Sequence, residues 1–234
     1  MVPERDIDPA DLYEQERVAL VATLRAAPTE HLTRTVRATP AWTVQDVLAH
    51  VVAITADLNA QRFDGATDGD AWTAHQVASR RGASLDDLAA EWDREAPQFE
   101  EGLRLFGYSF GAHYLGDLLQ HTGDVRTTLG IDATRDDDTI AVALDFYLES
   151  FEATLAEAAV GAVEVRSGTE RWSLGPGPLV ATVTAPRYEL FRSLGGRRTL
   201  DQIRSLDWTG DTARVVGLVS RYPPPTARLP AEQA

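Results

Sequence analysis

The chain has 234 residues, 44% hydrophobic and 25% charged, with a formal net charge of -14 and no cysteine. That balance describes an ordinary globular protein, long enough for one large domain or for a helical bundle with a small second lobe. It excludes disulfides, cysteine-ligated zinc and a cysteine nucleophile, and the negative charge argues against nucleic acid and membrane surfaces as partners.

Helical spacing opens the chain: Leu12, Val18, Leu20, Val21 and Leu24 predict a helix from about Pro9 to Ala27, stopped by Pro28. Thr43 reads as the N-cap of the next helix, with Asp46 in the capping-box position, and this helix is predicted to run past Leu58 toward Phe63. Asp64 to Asp70 is a loop by composition. A helix follows from near Ser84, with Asp86 and Asp87 in its first turn where they favour the dipole, and with Leu85, Leu88, Trp92, Phe99 and Leu103 along it. Tyr108 to Leu129 makes another helix, closed by Gly130 as a C-cap. Asp136 to Asp138 precede the last long helix, through Phe146, Phe151 and Leu155, which ends before Gly161.

Beyond Gly161 the period changes from helical to alternating. Ala162 to Arg166 and Arg171 to Leu174 predict strands around a turn at Ser167 and Gly168, and Leu179 to Thr184 a third. Pro186 to Leu194 and Leu200 to Leu206 read as helices, Arg214 to Val219 as a strand, and the proline-rich end from Pro223 as a tail. The expected fold is mainly α: residues 1–160 as an antiparallel four-helix bundle, residues 161–234 as a small α/β lobe with its tail.

The chemistry concentrates in the bundle. Asp117 and His121 are spaced i, i+4, so both side chains leave one helix face, and His50 lies in a second apolar helix. Two imidazoles and a carboxylate suit zinc, and also nickel, iron or manganese, with a coordination position left open. The same spacing equally describes a surface ion pair and a packed histidine. Asp46, four residues before His50, is an alternative ligand or an orienting group, and Asp124 could orient His121. His113 is expected to be structural or to line the pocket, His75 to be a pocket or loop residue, and His31 to face solvent.

Two further motifs need weighing. Gly107-Tyr-Ser-Phe-Gly111 matches a nucleophile elbow, but that turn needs a strand before the serine, and a helix is expected there. Gly195-Gly-Arg-Arg198 would let Arg197 or Arg198 fork onto an anion, or would simply be a helix C-cap followed by exposed arginines. All 22 basic residues are arginine, so lysine Schiff bases are excluded and single arginines carry less weight.

Pro40-Ala-Trp-Thr-Val-Gln-Asp-Val-Leu-Ala-His50, with Asp117-Leu-Leu-Gln-His-Thr-Gly-Asp124, resembles the mycothiol-dependent maleylpyruvate isomerase family within the DinB-like superfamily. Tyr188 to Arg198 and Asp207 to Asp211 are similar to the C-terminal lobe of those proteins. The resemblance implies a DinB-like four-helix bundle whose divalent metal, typically zinc, is held by His50, His121 and Asp117. It also implies a catalytic arginine, with Arg197 the closest match and Arg198 the alternative; Arg198 and His113 are the residues expected to bind the cofactor. The family's isomerase has glutamate where Asp117 stands.

The implied function is a metal-dependent enzyme that uses the small thiol mycothiol as cosubstrate, transferring it to a small electrophile or isomerising that substrate. A non-catalytic metal- or ligand-binding stress protein is the alternative. No apolar run is long enough to span a bilayer and the N-terminus is acidic, unlike a signal peptide, so a cytoplasmic monomer or homodimer is expected.

Overall fold

The computed structural model describes residues 2–63, 69–131 and 138–229. It is mainly helical with one small four-stranded sheet, the fold class expected. Contacts divide the chain into two compact units, one of which takes Asp8–Gly111 and the segment that begins at His121. The other takes the N-terminal residues to Ile7, Ala112–Gln120 and the described residues from Asp138 onward.

In the first unit α1 is Pro9–Ala26, α2 Val44–Asn59, α3 Gly69–Ser79 and α4 Leu85–Phe106. Local chemistry sets their starts. Asp8 caps α1 by accepting from the Ala10 amide, and both α2 and α4 begin with a complete capping box, Thr43 with Asp46 and Ser84 with Asp87. Each box satisfies amide groups that the first helical turn leaves without an intrahelical acceptor. α4 packs against both α1 and α2, and Leu20, Leu24, Leu48, Val52, Leu88 and Trp92 on these helices are all buried. Inside this core Thr55, fully buried, takes a hydrogen bond from Trp92 Nε1 at 3.1 Å and shares another with the Tyr13 hydroxyl at 3.1 Å.

α5 is one unbroken helix, Tyr108–Leu129, closed by Gly130 at φ 70°, a left-handed conformation that glycine adopts without strain. Gly107, at φ 91°, lies between α4 and α5, so a helix precedes Ser109 and the elbow motif has no strand to stand on.

In the second unit α6 is Asp138–Ala158, and β1 Ala162–Ser167, β2 Glu170–Leu174, β3 Leu179–Thr184 and β4 Asp207–Gly210 form a sheet in the order β2-β1-β3-β4. β1 runs antiparallel to β2 and parallel to β3, and β4 is antiparallel to β3. The register places Val163 beside Leu174 and Ala181, and Val165 beside Trp172 and Val183, so one face is apolar and buried. Between β3 and β4 come α7, Arg187–Leu194, and α8, Leu200–Arg204. α6 packs against α7 and β2, and Arg5 ties the N-terminal residues to it by donating to Asp145 at 2.7 Å.

Three expectations are corrected. α2 stops at Asn59 rather than running toward Phe63, with the Ala60 amide closing onto Ala56. α3 begins at Gly69, so Gly69 and Asp70 of the expected loop are helical, and it carries His75; residues 64–68 of that loop lie outside the described residues, as do Asp136 and Asp137. Arg214 to Val219 is not a strand but two short 3-10 turns, and the sheet's last strand is β4 instead. Val215, Val216 and Val219 turn one apolar side inward, while β4 is a largely exposed edge strand. No described helix is long and apolar enough to cross a membrane.

Candidate metal centre

α2 is apolar nearly all round, and His50 is buried on it, 3% exposed, in a row with Val47, Ala49 and Val51. A polar ring in such surroundings is costly unless it is hydrogen-bonded or binds an ion. His121, 6% exposed, meets it from α5 with ring centroids 4.9 Å apart and planes at 76°. Asp117 stands one turn back on α5. One ligand atom from each of His50, Asp117 and His121 lies within 4.8 Å of the others, a spacing that a single cation can bridge.

Two nitrogen donors and one carboxylate oxygen fit a divalent ion of the zinc, nickel, iron or manganese type. The half-buried carboxylate offsets part of the cation's charge, and with three protein ligands a tetrahedral ion keeps one position open. Among the described residues, these three are the only group of this kind that could hold a metal ion.

Trp42 supplies a wall. The Val36 amide donates to Trp42 carbonyl oxygen at 2.9 Å and the Trp42 amide to Thr39 at 2.8 Å, a tight turn that holds the indole just before α2. Its ring lies 4.9 Å from His50 and 6.0 Å from His121. Behind His50, Nδ1 is 3.0 Å from Gln76 Oε1 on α3, and Gln76 Nε2 donates to Asp57 at 3.1 Å. The Asp57 carboxylate in turn accepts from Arg62 at 2.8 and 3.0 Å. Nothing in the sequence alone singles out Trp42, Gln76 or Asp57. Trp42 belongs to a motif whose cap and histidine stand out first, and Gln76 lies between the loop to Asp70 and the helix from Ser84, where no apolar period marks an element.

The other sequence candidates fall in different places. Asp46 stands outside the ligand group, its carboxylate accepting from the Thr43 amide and hydroxyl, both at 2.8 Å. Asp124 is buried on α5 beyond His121. His113 stacks on Phe146 at 4.2 Å and 15° and on Tyr114 at 4.7 Å, outside the ligand group. Burial pushes its pKa down, against the opposing pull of Asp117. His75 is exposed on α3, and His31 pairs with Arg34 on a 3-10 turn.

In the second unit, Tyr114 is pushed up to about 12 by burial and by Asp117. The Tyr147 hydroxyl is also pushed up, chiefly by burial; Tyr222 and Asp117 act in the same direction, and Arg197 and a hydrogen bond with Gln120 oppose it. Gln120 is anchored by donating to Phe191 carbonyl oxygen at 2.9 Å and accepting from Arg192 at 2.7 Å. Gly195 closes on this amide so tightly that a Cβ there would stand 1.9 Å from Gln120 Nε2.

Arg197 is half-buried and donates to Gly195 carbonyl oxygen at 2.7 Å, whereas Arg198, 8% exposed, forks onto Glu189 at 2.8 and 2.9 Å. The Gly-Gly-Arg-Arg segment therefore ends in an internal ion pair rather than in two exposed arginines.

Residues 13–107 match the family model described as the mycothiol maleylpyruvate isomerase N-terminal domain. The backbone is similar to the crystal structure of the mycothiol-dependent maleylpyruvate isomerase, with a TM-score of 0.52 at 14% identity over 81% of this chain and 88% of that chain. A histidine-to-alanine mutant of that isomerase matches with a TM-score of 0.53 at 14% identity, over 87% and 92%. No curated protein matches the chain. Residues 13–107 thus match the model of the family that the motifs resemble, and the chain shares the isomerase fold.

Proposed function

We propose that the chain is a divalent-metal-dependent enzyme that activates a small thiol, mycothiol by family resemblance, for transfer to or isomerisation of a small electrophile. The observation that carries this reading is the convergence of His50, Asp117 and His121 within 4.8 Å. A bound divalent cation would supply the positive charge that keeps a thiol ionised near neutral pH. The chain has no cysteine of its own, so that thiol comes from a small molecule.

The protein's residues do the rest of the work in this reading. His50, His121 and Asp117 would hold the ion from α2 and α5, with the Trp42 indole against both imidazole rings. Arg197 is the proposed anchor for a substrate carboxylate, its planar fork matching that group. Arg198 is already committed to Glu189, so its contribution is to stiffen the segment that carries Arg197.

The test is turnover by metal-replete protein across a panel of small electrophiles, with and without a low-molecular-weight thiol. Thiol-dependent consumption is the expected result. Metal-replete protein that neither binds nor consumes the thiol overturns the thiol part of the reading.

A further inference from the structure

We infer that Gln76 and Asp57 form a relay that fixes the tautomer of His50, placing its proton on Nδ1 and its lone pair on Nε2. The inference rests on the metal reading above only for its consequence, that Nε2 is the atom His50 presents to the cation.

The assignment follows from what each group can donate. Asp57 is paired with Arg62 by hydrogen bonds of 2.8 and 3.0 Å, and an ionised carboxylate only accepts. The group facing Asp57 Oδ2 at 3.1 Å must therefore be the Gln76 amide nitrogen, which settles which way round that amide lies. Its oxygen then faces His50 Nδ1 at 3.0 Å, and because an amide oxygen only accepts, Nδ1 must carry the proton. Gln76 is fully buried and Asp57 is 7% exposed, so water offers no ready substitute partner. Arg62, at the outer end, reaches solvent.

α3 thereby acquires a function. It is a short helix with only Gln76 and Val77 buried, and Gln76 is the residue through which it touches the histidine. Gln76 is a positioning residue: it acts on the ion through His50. Partners of this kind typically change metal affinity by about 10–100-fold.

The experiment uses metal-free full-length protein with 15N-labelled histidine, read by long-range proton–nitrogen correlation, with the His50 signals assigned by their loss in His50→Ala. Zinc affinity is measured in parallel by competition with a chromophoric chelator. Wild type is expected to show a single Nδ1-protonated tautomer.

Gln76→Leu is expected to mix the two tautomers and to weaken zinc binding about tenfold or more. Asp57→Asn, a milder change that keeps the side-chain shape, is expected to mix them as well, since the amide at 76 is then free to turn over. Gln76→Glu combined with Asp57→Asn restores an acceptor beside Nδ1 and a donor behind it, and should recover both readouts. A wild-type His50 protonated on Nε2, or a Gln76→Leu protein with unchanged tautomer and affinity, overturns the relay. Wild-type protein with the Nδ1 proton that takes up no zinc upholds the relay and overturns the metal reading.

Discussion

His50 on α2 and His121 on α5 meet edge to face, ring centroids 4.9 Å apart, with Trp42 against both. Drawing the two rings toward one ion changes the surroundings of the indole. Zinc titration should therefore change tryptophan emission saturably in wild type, and Trp42→Phe should abolish most of the change although four of the five tryptophans remain. An unaltered response in Trp42→Phe would place the binding event elsewhere.

The capping box separates two roles for Asp46. Its carboxylate is occupied by the Thr43 amide and hydroxyl, so Asp46→Ala should lower stability while leaving metal stoichiometry intact. Thr43→Ala, which removes the other half of the box, should cost about 1 kcal/mol in denaturant unfolding. Asp117→Ala should instead lose the metal. Metal loss in Asp46→Ala would make it a ligand after all.

Thr55 is the polar knot of the first unit's core. Replacing it by valine keeps its volume but leaves Trp92 Nε1, now 3.1 Å from the hydroxyl, without its acceptor. The expected cost is about 1–3 kcal/mol in chemical denaturation. Wild-type stability in Thr55→Val would show that Trp92 finds another acceptor.

His113 gives the molecule a pH dependence of defined sign. Burial lowers its folded pKa below the ordinary 6.5 of the unfolded chain. Above pH 6.5 both states are neutral and the contribution is complete. As pH falls below that value the unfolded chain takes up the proton first, so stability is lost until the lower folded pKa is reached. His113→Phe, which keeps an aromatic ring against Phe146, should flatten the decline in melting temperature between about pH 7 and pH 5. Parallel profiles for the two proteins would remove His113 as the cause.

Much of this architecture could be read from short-range chemistry. Thr43, Ser84 and Gly130 mark helix ends by their side chains or lack of one, and Asp117 and His121 declare a shared face by spacing alone. The bond from His50 to Gln76 left no such trace, because it joins two helices through a residue whose neighbours show no apolar period. β4 was missed for a related reason. As an exposed edge strand, Asp207-Trp-Thr-Gly210 owes its conformation to pairing with β3, while the valines after Arg214 attracted the strand assignment by composition. Local signals survive in the sequence; partners chosen by tertiary contact do not.

The most direct test is elemental analysis of protein purified without chelator, comparing wild type with His121→Ala at matched folding by circular dichroism. The account predicts about one divalent ion per wild-type chain and little or none in the variant. Equal metal in the two proteins, or none in wild type even after incubation with zinc, would contradict a cation shared by His50, Asp117 and His121.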